Sequence, residues 1–116
     1  MTEARRADPR HTVEIDAQVV HEGGTLLTRT RNLSRGGLCF VSPEPLRVGA
    51  ELTIMIALVL NGTTYAAINL RARAVWCTPM PGAPEHQIGA AFFSVTNDHR
   101  AQVDQFLRHL AQSSSG

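Results

Sequence analysis

Apolar and polar residues alternate from Val13 to Val19, with Val13, Ile15, Ala17 and Val19 on one side and Glu14, Asp16 and Gln18 on the other. That period of two predicts a half-buried strand. Glu22-Gly23-Gly24 turns the chain, and Thr25 to Leu33 can return as the hairpin partner. Gly36-Gly37 breaks this strand before a short one from Leu38 to Val41. After a loop containing Pro43, Pro45 and Gly49, Leu52 to Leu60 runs apolar on both faces, as an interior strand of a closed sheet does. Asn61-Gly62 signals a tight hairpin. Thr64 to Trp76 then carries Ala66, Ile68, Leu70, Ala72, Ala74 and Trp76 on one face and Asn69, Arg71 and Arg73 on the other. A Pro- and Gly-rich loop over 79–84 leads to a last strand from Gln87 to Ser94. Beyond it the period lengthens: Val103, Phe106, Leu107 and Leu110 fall at i, i+3, i+4 and i+7, a helix that Thr96 or Asn97 can cap.

Six strands joined by short turns and followed by one amphipathic helix predict an all-β fold with one helix. The expected architecture is a small six-stranded antiparallel barrel, with the C-terminal helix packed on the sheet or over one mouth. The expected organisation is an arginine-rich arm over residues 1–12, a barrel domain with its helix over 13–112, and a polar tail over 113–116. The arm is read as flexible, because Pro9 denies it a helix interior and it has few apolar anchors.

Composition narrows the chemistry. The 116 residues are 43% hydrophobic and 18% charged, as in an ordinary folded domain. Eleven basic residues against ten acids leave a net charge of +1, which disfavours a long polyanion as partner. All eleven are arginine, so Schiff-base and other lysine chemistry is excluded. The five histidines show no metal-ligand spacing, neither Cys39 nor Cys77 has a nucleophile signature, and the acids are scattered. No catalytic residue, metal site or cofactor is expected, and the chain reads as a non-enzyme. With no apolar leader and no run long enough for a bilayer, it reads as cytoplasmic, with its two cysteines reduced.

The arginines cluster. Arg5, Arg6 and Arg10 lie on the arm, and Arg29, Arg31 and Arg35 fall in a stretch from Gly23 to Val41 without any acid. If the arm folds back, six guanidiniums converge on a local site suited to a small anion. Two patterns sharpen this. Arg6-Ala7-Asp8-Pro9-Arg10 is an R-x-x-x-R, common by chance in so arginine-rich a chain. Asn32-Leu33-Ser34-Arg35-Gly36-Gly37 is an N-x-S-x-x-G at a strand end, and [DN]-x-S-x-x-G is expected only about 0.03 times at this chain's residue frequencies. By itself the second pattern also fits a turn stabilised by its own Asn and Ser side chains. Gly37 either adopts positive φ or permits a close approach. Trp76 lines a pocket or packs in the barrel core, the latter being favoured.

Together these features resemble the PilZ domain family, bacterial receptors for cyclic di-guanosine monophosphate (cyclic di-GMP). The resemblance runs from the arm and the N-x-S-x-x-G turn through Ala74-Val75-Trp76 and Ile88-Gly89-Ala90-Ala91-Phe92 to the helix. It implies a PilZ-type barrel and a receptor whose arm orders on ligand binding and signals to a downstream protein. Arg6 and Arg10 would clamp guanine and phosphate, with Asn32, Ser34 and Gly37 at the turn positions. Arg5 stands where an additional arginine accompanies two intercalated ligand molecules. Arginine forks suit the O6/N7 edge of guanine and stack on its face. Asn32 has an acceptor for guanine N–H groups, and Ser34 a compact hydroxyl. The main alternative is a PilZ-like adaptor that binds protein and no nucleotide. A single-strand nucleic-acid binder ranks lower, for want of exposed aromatics, and no membrane role is expected.

Overall fold

The computed structural model describes residues 11–60 and 62–115. Seven strands are present: β1 (His11–Thr12), β2 (Asp16–His21), β3 (Gly24–Leu33), β4 (Gly37–Ser42), β5 (Glu51–Leu60), β6 (Thr63–Pro79) and β7 (His86–Phe92), followed by the helix α1 (Asn97–Ser115). All pairings are antiparallel, in the order β3-β2-β5-β6-β7-β4, and β4 returns to β3. Six strands therefore close into a barrel, as the hydrophobic pattern predicts. The two-residue β1 adds to β3 in line with β2.

Inward-facing residues fill the barrel. Val19, Ile54, Ile56, Leu58, Leu70, Leu33, Leu38, Phe40 and Ile88 are fully buried in one core cluster. Val103, Phe106 and Leu107 of α1 join that cluster, with Leu110 packed at its edge, and the helix lies on β5 and β6. Burial of those three buried side chains contributes roughly 5–9 kcal/mol, enough to dock a helix whose own propensity is modest. Thr96 is the cap: its Oγ1 accepts the His99 amide at 3.1 Å and its carbonyl accepts the Arg100 amide at 2.9 Å. The helix continues to Ser115, past the expected boundary at 112. No helix among the described residues is long and apolar enough to cross a membrane.

Two expectations are corrected. The strand expected over Val13–Val19 is interrupted between β1 and β2, and His11 and Thr12, assigned above to the arm, belong to the sheet. Thr30 is the cause. It is fully buried, and its Oγ1 donates to the Val13 carbonyl at 2.7 Å and accepts the Ile15 amide at 3.1 Å, standing in for ladder partners. Trp76 is not in the core. The β6–β7 register slips between Ala74 and Trp76, so Ala74 pairs with Ala90 inside the barrel while Trp76 pairs with Gly89 outside it. One extra residue in a strand reverses every face beyond it.

Thr30→Val keeps volume and removes both hydroxyl bonds, leaving a buried carbonyl and amide unpaired. It is expected to destabilise the protein by about 1–3 kcal/mol, whereas Thr30→Ser keeps most of that stability. Urea unfolding of the two variants checks this.

Candidate functional site

The N-x-S-x-x-G sequence forms the tight link between β3 and β4. Ser34 is buried, and its backbone amide donates to the Gly37 carbonyl at 2.8 Å. Its Oγ donates to the same carbonyl and accepts the Gly36 amide, each at 3.3 Å. The hydroxyl thus holds the turn together. For Ser34 the geometry shows the turn-stabilising arrangement.

Gly37 does not have positive φ; the described glycines that do are Gly24, Gly49, Gly62 and Gly82. The close approach it permits is to a neighbouring strand. A Cβ at Gly37 would overlap the Ala90 carbonyl oxygen of β7, and this glycine is what lets β4 lie against β7 at the turn.

Asn32 faces outward. The β3–β4 register slips between Thr30 and Asn32, so that Arg31 and Asn32 both lie outside the core, between buried Thr30 and buried Leu33. Across the barrel wall Asn32 pairs with Cys39, Cys39 with Gly89, and Gly89 with Trp76. The next row on the same face is Gly37, Ala91 and Arg73. The result is a floor of small residues, Gly37, Cys39, Gly89 and Ala91, about 14 Å across from β3 to β6 at ordinary strand spacing. Asn32 and Arg31 stand at one side, and Trp76 and Arg73 at the other. A Cβ at Gly89 would overlap the Trp76 ring, so the indole lies down over Gly89. Arg71 and Arg73 stack on Phe93, 5.0 and 4.8 Å from its centroid, and reach Glu51 at 3.1 and 3.7 Å.

Among the expected guanidiniums, Arg5, Arg6 and Arg10 lie outside the described residues. Two of the other three are ion-paired. Arg29 is engaged by Asp16 at 3.3 Å and by Glu14 at 3.9 Å, and Arg35 by Asp104 of α1 at 2.6 Å. Arg31 is exposed and has no ion pair among the described residues. The first two were drawn off by acids remote in sequence, which inspection of the acid-free stretch could not show. The sequence reading counted Arg31 among the converging guanidiniums without giving it a contact, and gave Arg73 and Gly89 no place in the site. Gly89 and Ala91 had a signal, small residues at alternate positions of a strand; the bulges that orient Arg31 and Trp76 had none.

The arm's root is fixed. Thr12 pairs with Asn32 and His11 with Leu33, so the chain enters the sheet directly beside the turn. Arg10 is one residue from His11, and Arg6 five, within roughly 17 Å of extended chain. Both arginines of the R-x-x-x-R can therefore reach the floor.

Gly89→Ala is expected to push the indole of the chain's single tryptophan off the floor. A shifted emission maximum in the folded variant, by intrinsic fluorescence, checks it.

No curated protein sequence matches the chain. Solved structures do match it in fold. They include the Bacillus subtilis inhibitor of motility MotI/DgrA (TM-score 0.77, 21% identity, 93% of this chain and 52% of that one). YcgR from Escherichia coli, solved in complex with c-di-GMP, gives a TM-score of 0.79 at 18% identity, over 96% of this chain and 48% of that one. The MrkH–c-di-GMP complex of K. pneumonia gives 0.76 at 19% identity, over 96% and 54%. The chain thus spans about half the length of each of these proteins. At such identities the likeness is one of fold, and it is the sequence that decides the family: the PilZ domain pattern matches residues 4–109, nearly the whole chain, which therefore belongs to the PilZ domain family.

Proposed function

We propose that this chain is a receptor for cyclic di-GMP, which lies on the small-residue floor between Asn32 and Trp76 and is closed over by the arm. The observation that carries this is the pairing of β1 with the end of β3, which roots the arm beside Asn32. An arm attached elsewhere would make the R-x-x-x-R and the N-x-S-x-x-G two unrelated coincidences.

Each expected contact follows from chemistry. The Asn32 side-chain oxygen accepts guanine N–H, and Arg6 and Arg10 fork onto the guanine O6/N7 edge or a phosphate. Arg31, exposed and without an ion pair among the described residues, adds a cation at the same edge of the floor. Trp76, lying over Gly89, offers an aromatic face opposite, and the small side chains of Cys39 and Ala91 keep the floor beside it low. Arg5 extends the arm's grip to a second, intercalated ligand molecule. Ligand ties arm and barrel together, so that the arm orders when ligand binds. The ordered arm and the ligand then form a new surface for a downstream protein. YcgR and MrkH, solved with c-di-GMP, share the fold and support the reading.

A PilZ-like adaptor that binds protein and no nucleotide is the second reading; the exposed apolar side chains of Leu27 and Met55 on the barrel's outer surface are what it has in its favour.

Isothermal titration with cyclic di-GMP distinguishes them. Wild-type protein is expected to bind, Arg6→Ala/Arg10→Ala to lose binding, and Asn32→Ala to bind about 5- to 150-fold more weakly, as loss of a base-edge contact predicts. Two ligands per chain, falling to one in Arg5→Ala, is the expected stoichiometry. Absence of binding by folded wild-type protein would overturn the receptor reading and leave the adaptor reading in its place.

A further inference from the structure

Arg35 lies within the turn, between Ser34 and Gly36, yet its guanidinium is turned toward α1. Its Nε sits 2.6 Å from Asp104 Oδ1. That oxygen is closed off from solvent and has no aligned hydrogen-bond donor among the described residues, so the contact is ionic and off-axis. The two partners are unequally held. Asp104 follows buried Val103 on the helix and its side chain is only 25% exposed, whereas the Arg35 side chain is 48% exposed at the end of a long stem. A shielded carboxylate oxygen depends on the cation beside it, but the arginine is free to exchange partners. A phosphodiester offers it a better one: the same single charge, but with the two-pronged geometry that the present contact lacks.

We propose that Asp104 is a built-in competitor of the ligand at this turn. In the free protein it neutralises Arg35, and a phosphate of the bound dinucleotide takes Arg35 from it. Asp104 thereby lowers affinity, and occupancy of the turn is felt by α1, because what the ligand gains in Arg35 the helix loses. This rests on the reading of the turn as the cyclic di-GMP site. Asp104 touches no ligand and is a positioning residue acting through Arg35.

The test is titration of cyclic di-GMP into wild type, Asp104→Asn, Asp104→Glu and Arg35→Ala. Asp104→Asn keeps the shape and removes the charge, and is expected to bind about two- to fivefold more tightly. Asp104→Glu should restore wild-type affinity. Arg35→Ala should bind more weakly, and adding Asp104→Asn to it should change nothing further. Damage to the helix weakens binding, so a gain cannot arise from it. In wild type, the α1 amides around Asp104 should exchange faster with ligand than without. If wild type binds and Asp104→Asn binds equally or less well, the competition is overturned. The same holds if Asp104→Asn still tightens binding in the Arg35→Ala background. If wild type does not bind, the ligand reading of the turn has failed instead.

Discussion

Everything in this structure hangs on the seam where β4 meets β3. Five other pairings among β2 to β7 build a curved sheet, and the Thr30–Phe40, Asn32–Cys39 and Leu33–Leu38 pairs with the turn beyond them close it into a barrel. Closure removes the sheet's edges and seals Leu33, Leu38 and Phe40 into one core with the strands opposite. The turn must be tight, which Ser34 secures by bonding both Gly36 and Gly37. It must also lie close to β7, which Gly37 permits and the Gly36 carbonyl reinforces by accepting the Phe92 amide at 2.9 Å. The N-x-S-x-x-G motif is thus first a device for closing a barrel. Ser34 and Gly37 serve the closure, and Asn32 is the member that faces outward.

Two bulges make a surface of that seam. The slip between Thr30 and Asn32 turns two consecutive polar side chains out, and the slip between Ala74 and Trp76 turns out the chain's one tryptophan. They stand on opposite sides of β4 and β7, whose outward residues between them are small. A wall of an ordinary barrel is convex and featureless; here it has a floor and two sides. Thr30 matters again, because the hydroxyl that fills the gap between β1 and β2 keeps β1 in line with Asn32 and so fixes where the arm begins.

Much of this was legible before any coordinates. Period-two strands, the helical stripe of Val103, Phe106, Leu107 and Leu110, and the rare N-x-S-x-x-G gave the barrel, the helix and the family. Three things were not legible, each for a physical reason. A bulge adds one residue without a signature in composition, so Trp76 read as a core residue. The ion pairs of Arg29 with Asp16 and of Arg35 with Asp104 join segments brought together only by folding, so both read as available cations. And the need for glycine at 37 comes from the Ala90 carbonyl of a strand some fifty residues on, so local sequence offered positive φ or a close approach as equal choices.

In the proposed receptor, the arm closes over the floor beside which it is rooted. Amide hydrogen exchange over residues 1–12, with and without cyclic di-GMP, tests this directly. Slowed exchange through the arm on ligand addition, extending into Thr12 where it pairs with Asn32, is the predicted result. Ligand bound with exchange of the arm unchanged would contradict the account.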